Sequence, residues 1–257
     1  MTPALAALAE AVRPELLGWA LASMRVLPVT LFCPVLGGQL VPAPVRLAVA
    51  GSLALALRPL AGVVPDASPD FFGRCGREAA VGLLLGLGAA LPFDAARIGG
   101  RLVDLVRGTS AEAALPVGGH RESATGDVLY QLLLSLALAA GALPCLAGAI
   151  GRSYLLIPLG GGVGGTDGAL AVARMVGVAL ATGLSVAAPV VALSWATDAA
   201  VGLALRAAPG LPATELATPV RILGGATVLW LSLGLVADRM LRLALAPEGW
   251  LPGVLAR

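Results

Sequence analysis

The chain has 257 residues, 58% of them hydrophobic and 12% charged, with a mean hydropathy of +0.91. A typical soluble domain carries roughly 25% charge, so an apolar excess of this size cannot be hidden in one soluble core, and the chain reads as an integral membrane protein or part of a membrane assembly. A net charge of +2 with no clustered basic face excludes nucleic acid as a partner.

In chain order, the start, MTPALAALAEAVRPELLGWALASMR, has Glu10 and Glu15 ahead of its apolar run and no basic leader, so the first segment is expected to stay in the mature protein. About six apolar segments approach the ~20 residues that a span needs: Leu16 to Leu36, Leu47 to Val64, Ala79 to Phe93, Val128 to Ile150, Ala169 to Leu193 and Val220 to Val236. The third is short unless the residues from Asp94 onward extend it. Arg25 and Pro28 interrupt the first segment and Arg58-Pro59 the second. A charge inside a bilayer costs at least ~2.5 kcal/mol, so Arg25 should turn toward a partner helix or a hydrated path. The fold class is therefore all-α: a single polytopic domain over residues 1–257, with interrupted segments suited to helical hairpins packed in an assembly. The arginines outside the segments divide too evenly between the two sides for the positive-inside rule to orient the chain.

Between the third and fourth segments lies a polar island, Asp94 to Asp127. At ~100° per residue Asp94, Arg97, Arg101, Asp104 and Arg107 share one side of a helix, and Ile98, Leu102, Leu105 and Val106 the other. The pattern stops at Gly108, and Pro116, Gly118 and Gly119 mark a long loop of the kind that is functional or disordered. We take Gly108 to Thr125 as the functional centre. Gly82 and Gly86 form a GxxxG step that permits close helix approach, which an alanine- and glycine-rich composition also produces by chance.

Other candidates weigh against chemistry. His120, the only histidine, is followed by Glu122 and Ser123 on a glycine-flanked loop, whereas a Ser-His-acid site needs a rigid scaffold. Cys33, Cys75 and Cys145 are far apart and read as small apolar residues; neither a metal site nor a cofactor is expected. Gly160 to Gly165 formally contains GxGxxG but joins two membrane-like segments and reads as a flexible linker. Glu78 is either a solvated helix start favoured by the dipole or one half of a functional pair. Asp198 is an interfacial charge or an inter-subunit contact.

The ordered set Arg25, Pro34, Gly37-Gly38-Gln39-Leu40-Val41-Pro42 and Val45-Arg46, then Arg77-Glu78 with Gly82 and Gly86, resembles the SctT/FliR family of export-gate proteins of type III secretion systems and flagella. The likeness continues through Gly100, Asp104, Arg107-Gly108, Ser110, Pro116, Gly119, Ser123 and Gln131. It then takes in Ser153, Pro158-Leu159-Gly160, Pro189, Asp198, Gly202-Leu203, Arg206, Pro209, Pro219 and Arg221, nearly the whole chain. The D-x-x-R-G start of the loop is similar to the virulence branch more than the flagellar one. Where the family reads P-Q-L-N-V-F, this chain has Pro209-Gly210-Leu211-Pro212-Ala213-Thr214.

The resemblance implies a non-enzymatic, single-copy inner-membrane subunit that joins R-type and S-type subunits and the U-type switch protein, among membrane lipid, in a channel for unfolded secreted proteins. It implies a plug at the loop carrying Gly108, Ser110, Pro116, Gly118, Gly119 and Ser123. Charged-helix and subunit contacts fall on Arg46, Glu78, Asp104, Arg107, Asp198, Arg206 and Arg221. A flagellar export component and a polytopic small-solute transporter are the alternatives; a transporter usually shows inverted repeats, and no repeat is visible.

Overall fold

A computed structural model describes residues 3–38, 41–62, 70–108, 112–113, 122–162, 165–208 and 213–245. Among these residues the chain is all-α apart from one pair of two-residue strands. Helix α1 (Pro3–Phe32) contains Pro14 and Pro28, and it ends where Pro34 opens a 3-10 turn closed by Gly37 at φ 91°. Helix α2 (Ala43–Leu57) starts on prolines, whose missing N–H groups cost nothing in a first turn, and stops at Arg58-Pro59.

Helix α3 (Phe71–Arg107) runs through Pro92 for 37 residues, so the third apolar segment and the start of the polar island are one element. It closes on Gly108 at φ 72°, the left-handed stop that glycine makes without strain. Strands β1 (Glu112–Ala113) and β2 (Glu122–Ser123) pair antiparallel, with Glu112 opposite Ser123.

Helices α4 (Ala124–Ala139) and α5 (Ala142–Leu156) follow. The fourth apolar segment is thus two helices, bent by 77° at a short break. It breaks at Gly141, which adopts φ 87° and donates its N–H to Leu138. Helix α6 (Gly165–Ala207) absorbs Pro189 and carries Asp198 inside its length. Helix α7 (Ala213–Pro219) passes through a π turn (Val220–Gly224) into α8 (Gly225–Leu245). Among the described residues, five helices are long and apolar enough to cross a membrane, or six if the bent pair α4–α5 counts as one.

The chain divides into two compact units. The first comprises Met1–Leu91, Leu138–Val176 and Leu245–Arg257; the second comprises Pro92–Ala137 and Gly177–Ala244. In the first, Leu21, Val26, Val29, Val81, Leu85 and Ile150 centre a continuous buried cluster. Glycines let α1 and α3 touch backbone to backbone there. A Cβ at Gly82 would overlap the Arg25 carbonyl oxygen and lie 2.8 Å from its carbon, and one at Gly86 would lie 2.9 Å from the Pro28 oxygen. The GxxxG step is therefore a real crossing. In the second unit, Val103 packs with Ala187 and Val190, and a Cβ at Gly100 would meet the backbone of Thr125 at 2.7 Å and overlap Gly126.

Candidate functional site

The second unit holds a polar centre at the root of the loop. Asp104 sits near the end of α3 with only 6% of its surface exposed. Its Oδ2 accepts from Ser123 Oγ at 2.7 Å and from the Thr125 backbone N–H at 3.0 Å, and its Oδ1 accepts from Thr125 Oγ1. Ser123 Oγ in turn accepts the Gly126 N–H at 2.9 Å. The first N–H groups of a helix have no partner within it, and Ser123 supplies one acceptor as the N-cap residue. Asp104 supplies another from a different helix, adding a negative charge where the α4 dipole is positive. Charge-assisted bonds of this kind contribute about 1.5–3 kcal/mol each. The chain entering at Gly108 and the chain leaving at Ser123 are thus held at one place, and the β1–β2 pair closes the same root.

Around this root the arginines are also engaged. Arg107 Nη2 donates to the Ile222 carbonyl at 3.0 Å and its Nη1 lies 4.0 Å from Asp104 Oδ1. Arg97 stacks on Tyr130, 4.1 Å from the ring centre, with Asp127 3.7 Å from its Nε. The amphipathic reading of this stretch is corrected here. Leu105, assigned to the apolar face, is 70% exposed, whereas Asp104, assigned to the wet face, is buried. The α4 backbone against Gly100 covers the polar face and supplies it with partners, which periodicity along one helix cannot foresee.

The first unit holds a second buried polar centre. Arg25 and Glu78 are both fully buried and form a two-pronged ion pair, with Nε to Oε2 at 2.6 Å and Nη2 to Oε1 at 3.1 Å. Arg25 also donates to the Ser153 carbonyl at 2.9 Å, to Ser153 Oγ at 3.3 Å and to the Ile157 carbonyl at 2.9 Å. All three guanidinium nitrogens are engaged, which a buried arginine requires. Tyr154 covers the guanidinium at 4.4 Å and donates its hydroxyl to the Ala22 carbonyl. Glu78 accepts the Gly160 N–H at 2.7 Å. Glu78 is therefore the half of a pair and not a solvated helix start. Gly160 to Gly162 is a held turn against Arg74 and Arg77 rather than a flexible linker; 163–164 lie outside the described residues.

The sequence profile described as bacterial export proteins, family 1, matches residues 16–246. The chain belongs to that family. The flagellar biosynthetic protein FliR of Caulobacter vibrioides is 28% identical over 223 residues, covering 85% of this chain and 89% of that protein. The Yop proteins translocation protein T of Yersinia pestis, and that of Yersinia pseudotuberculosis, are 31% identical over 157 residues, covering 59% of this chain and 60% of theirs. As a bacterial export protein of family 1, the chain is a multi-pass membrane component of a type III secretion or flagellar export apparatus and works with other subunits of it.

The family member's expected site residues are only partly gathered. Gly108, Ser123, Asp104 and Arg107 meet at the loop root; Ser110, Pro116, Gly118 and Gly119 lie outside the described residues. Arg221, in the π turn, pairs with Asp198 of α6. Arg206 is exposed in the last turn of α6, where its charge suits the helix dipole. In the other unit, Arg46 donates to the carbonyls of Gly38 and Val41 and so secures the turn before α2. Sequence reasoning missed Thr125 and Tyr154. A threonine opening an apolar helix beside Ser123 was the available signal for the first; nothing local marked the second.

Proposed function

We propose that the chain is a non-enzymatic wall subunit of the export gate in the bacterial inner membrane, and that the segment from Gly108 to Thr125 is its plug. R-type and S-type subunits and the U-type switch protein are its neighbours, and unfolded secreted proteins are its cargo. The observation that supports this reading is the loop root. A plug has to be tethered firmly at both ends while its middle is free of the helix ladder, and Asp104, Ser123 and Thr125 provide that tether. Exposed apolar side chains such as Val45, Leu47 and Leu55 on α2 suit a chain that is covered by lipid or by other subunits. The chain reads as part of a virulence-type system because the loop opens on Asp104-Leu-Val-Arg107-Gly108; its relatives include both a flagellar protein and the Yersinia translocation proteins.

The test is a permeability assay on the assembled gate. Deleting residues 113–119 should leave the chain in the complex and let ions and small molecules leak across the membrane. A complex of normal composition with unchanged permeability overturns the plug.

A further inference from the structure

Among the described residues, the most deeply buried charges are Arg25 and Glu78 of the first unit. Arg25 stands inside the apolar span Val12–Phe32, seven residues short of its end, or about 10 Å along the axis. A long side chain there could reach water by snorkelling. Instead the guanidinium turns inward and is fully buried. Its partners lie 53, 128 and 132 residues further along the chain. Two of them, the Ser153 and Ile157 carbonyls, belong to the negative dipole end of α5; the Ser153 carbonyl, which also accepts the Ile157 N–H, takes Arg25 as a second donor. Arg25 is thus at once the counter-ion of α3 and the C-terminal cap of α5.

We propose that α1 cannot hold its span in a membrane by itself, and that its placement is conditional on Glu78 of α3 and the end of α5. Until α3 and α5 have both been made, Arg25 lacks part or all of its partner set, and α1 rests with that residue at the membrane surface. Burial of α1 follows when α3 and α5 arrive, and the glycine crossing at Gly82 brings the Arg25 backbone close enough for the pair to close. This inference does not depend on the plug.

The experiment uses the full chain in membrane vesicles, with Cys33→Ala, Cys75→Ser and Cys145→Ser. A single thiol is introduced by Met24→Cys, at a half-exposed position beside Arg25. A charged maleimide is supplied to both membrane faces; a thiol in hydrocarbon cannot ionise and does not react. The parent should be protected. Glu78→Leu, which strands the Arg25 charge, should raise labelling roughly tenfold or more, in line with the cost of an uncompensated charge in the bilayer. The pair Arg25→Met with Glu78→Leu removes the charge and should return labelling to within about twofold of the parent. The reversed pair, Arg25→Glu with Glu78→Arg, should stay labelled, because a carboxylate at position 25 would face the carbonyls of Ser153 and Ile157. Protection that survives Glu78→Leu overturns the proposal. So does an apolar double variant as reactive as the single one, since packing rather than charge would then govern α1.

Discussion

The α1–α3 crossing allows one substitution to be worked through. In Gly82→Ala the new methyl would overlap the Arg25 carbonyl oxygen, 2.8 Å from the Arg25 carbonyl carbon and 3.1 Å from its Cα. Ordinary carbon contacts are 3.5–4.0 Å, so the two backbones must part by on the order of 1 Å. Overpacking of this kind costs about 1–3 kcal/mol. The same retreat stretches the Arg25 bonds to Glu78, Ser153 and Ile157, now at 2.6–3.3 Å, and losing one charge-assisted bond adds about 1.5–3 kcal/mol. Against these stands about 1 kcal/mol of helix propensity gained from alanine. The net loss is at least about 1.5 kcal/mol, or roughly tenfold in the folded fraction. The assay is urea unfolding in mild detergent, with Gly76→Ala as the internal comparison. Gly76 lies in the same helix with nothing within 4 Å of a built Cβ, so its replacement should be neutral or stabilising by up to about 1 kcal/mol. Equal midpoints for the two variants would refute the close crossing.

Three further outcomes are expected. Asp104→Asn turns one of two acceptor oxygens into a donor facing Ser123 and Thr125, at a cost of about 1–3 kcal/mol; hydrogen exchange at the Thr125 amide should quicken about tenfold or more, and unchanged protection would remove Asp104 from the loop root. The Asp198–Arg221 pair is 51% and 34% exposed, so a double-mutant cycle in the detergent-extracted chain should give no more than about 1 kcal/mol; a larger coupling would contradict the exposed geometry. Burial pushes the Cys33 thiol up to about 11 from the model-peptide 9.0, so at pH 8 Cys33 should alkylate about a hundredfold more slowly than a free thiol. The unfolded chain gives up this proton first, so the thiol's contribution to stability is intact below about pH 9 and fades as the pH rises toward 11; pH-dependent unfolding checks the sign.

The helical class and the number of apolar segments were legible because spanning length and hydropathy survive any packing. Continuity was harder to read. The charges from Asp94 onward ended the third apolar run inside what is one helix, and the bend within Val128 to Ile150 went unseen because a single Gly141 carries little weight in a hydropathy window. The loop root was half legible: Gly108 stood out as a helix stop, but Ser123 was read only as part of the loop, and the acceptor that holds it comes from Asp104, a residue whose helical phase pointed to solvent. Arg25 announced itself as a charge in an apolar run, yet its partner was ambiguous at Glu78, because a glutamate in the first turns of a helix is equally at home in water.

A shared rule connects these cases. Between helices in lipid, apolar contact gains little, because a lipid tail is as apolar as a leucine, so association depends on close packing and polar pairs. In this chain the two devices coincide. Gly82 lies against the backbone of Arg25, the Gly100–Gly126 approach lies beside Asp104 and Ser123, and a Cβ at Gly225 would press on Arg107 at 2.9 Å. A short polar bond demands backbones close enough to place both partners, and only a missing side chain permits that approach without lengthening the charged arm. The glycine therefore fixes where a pair can form, and the charge fixes which helix face can lie on the glycine. Neither feature is informative alone in an alanine- and glycine-rich chain. At these three approaches they together select the register, and Arg25, the charge that looked misplaced in its apolar segment, marks where α1 and α3 meet.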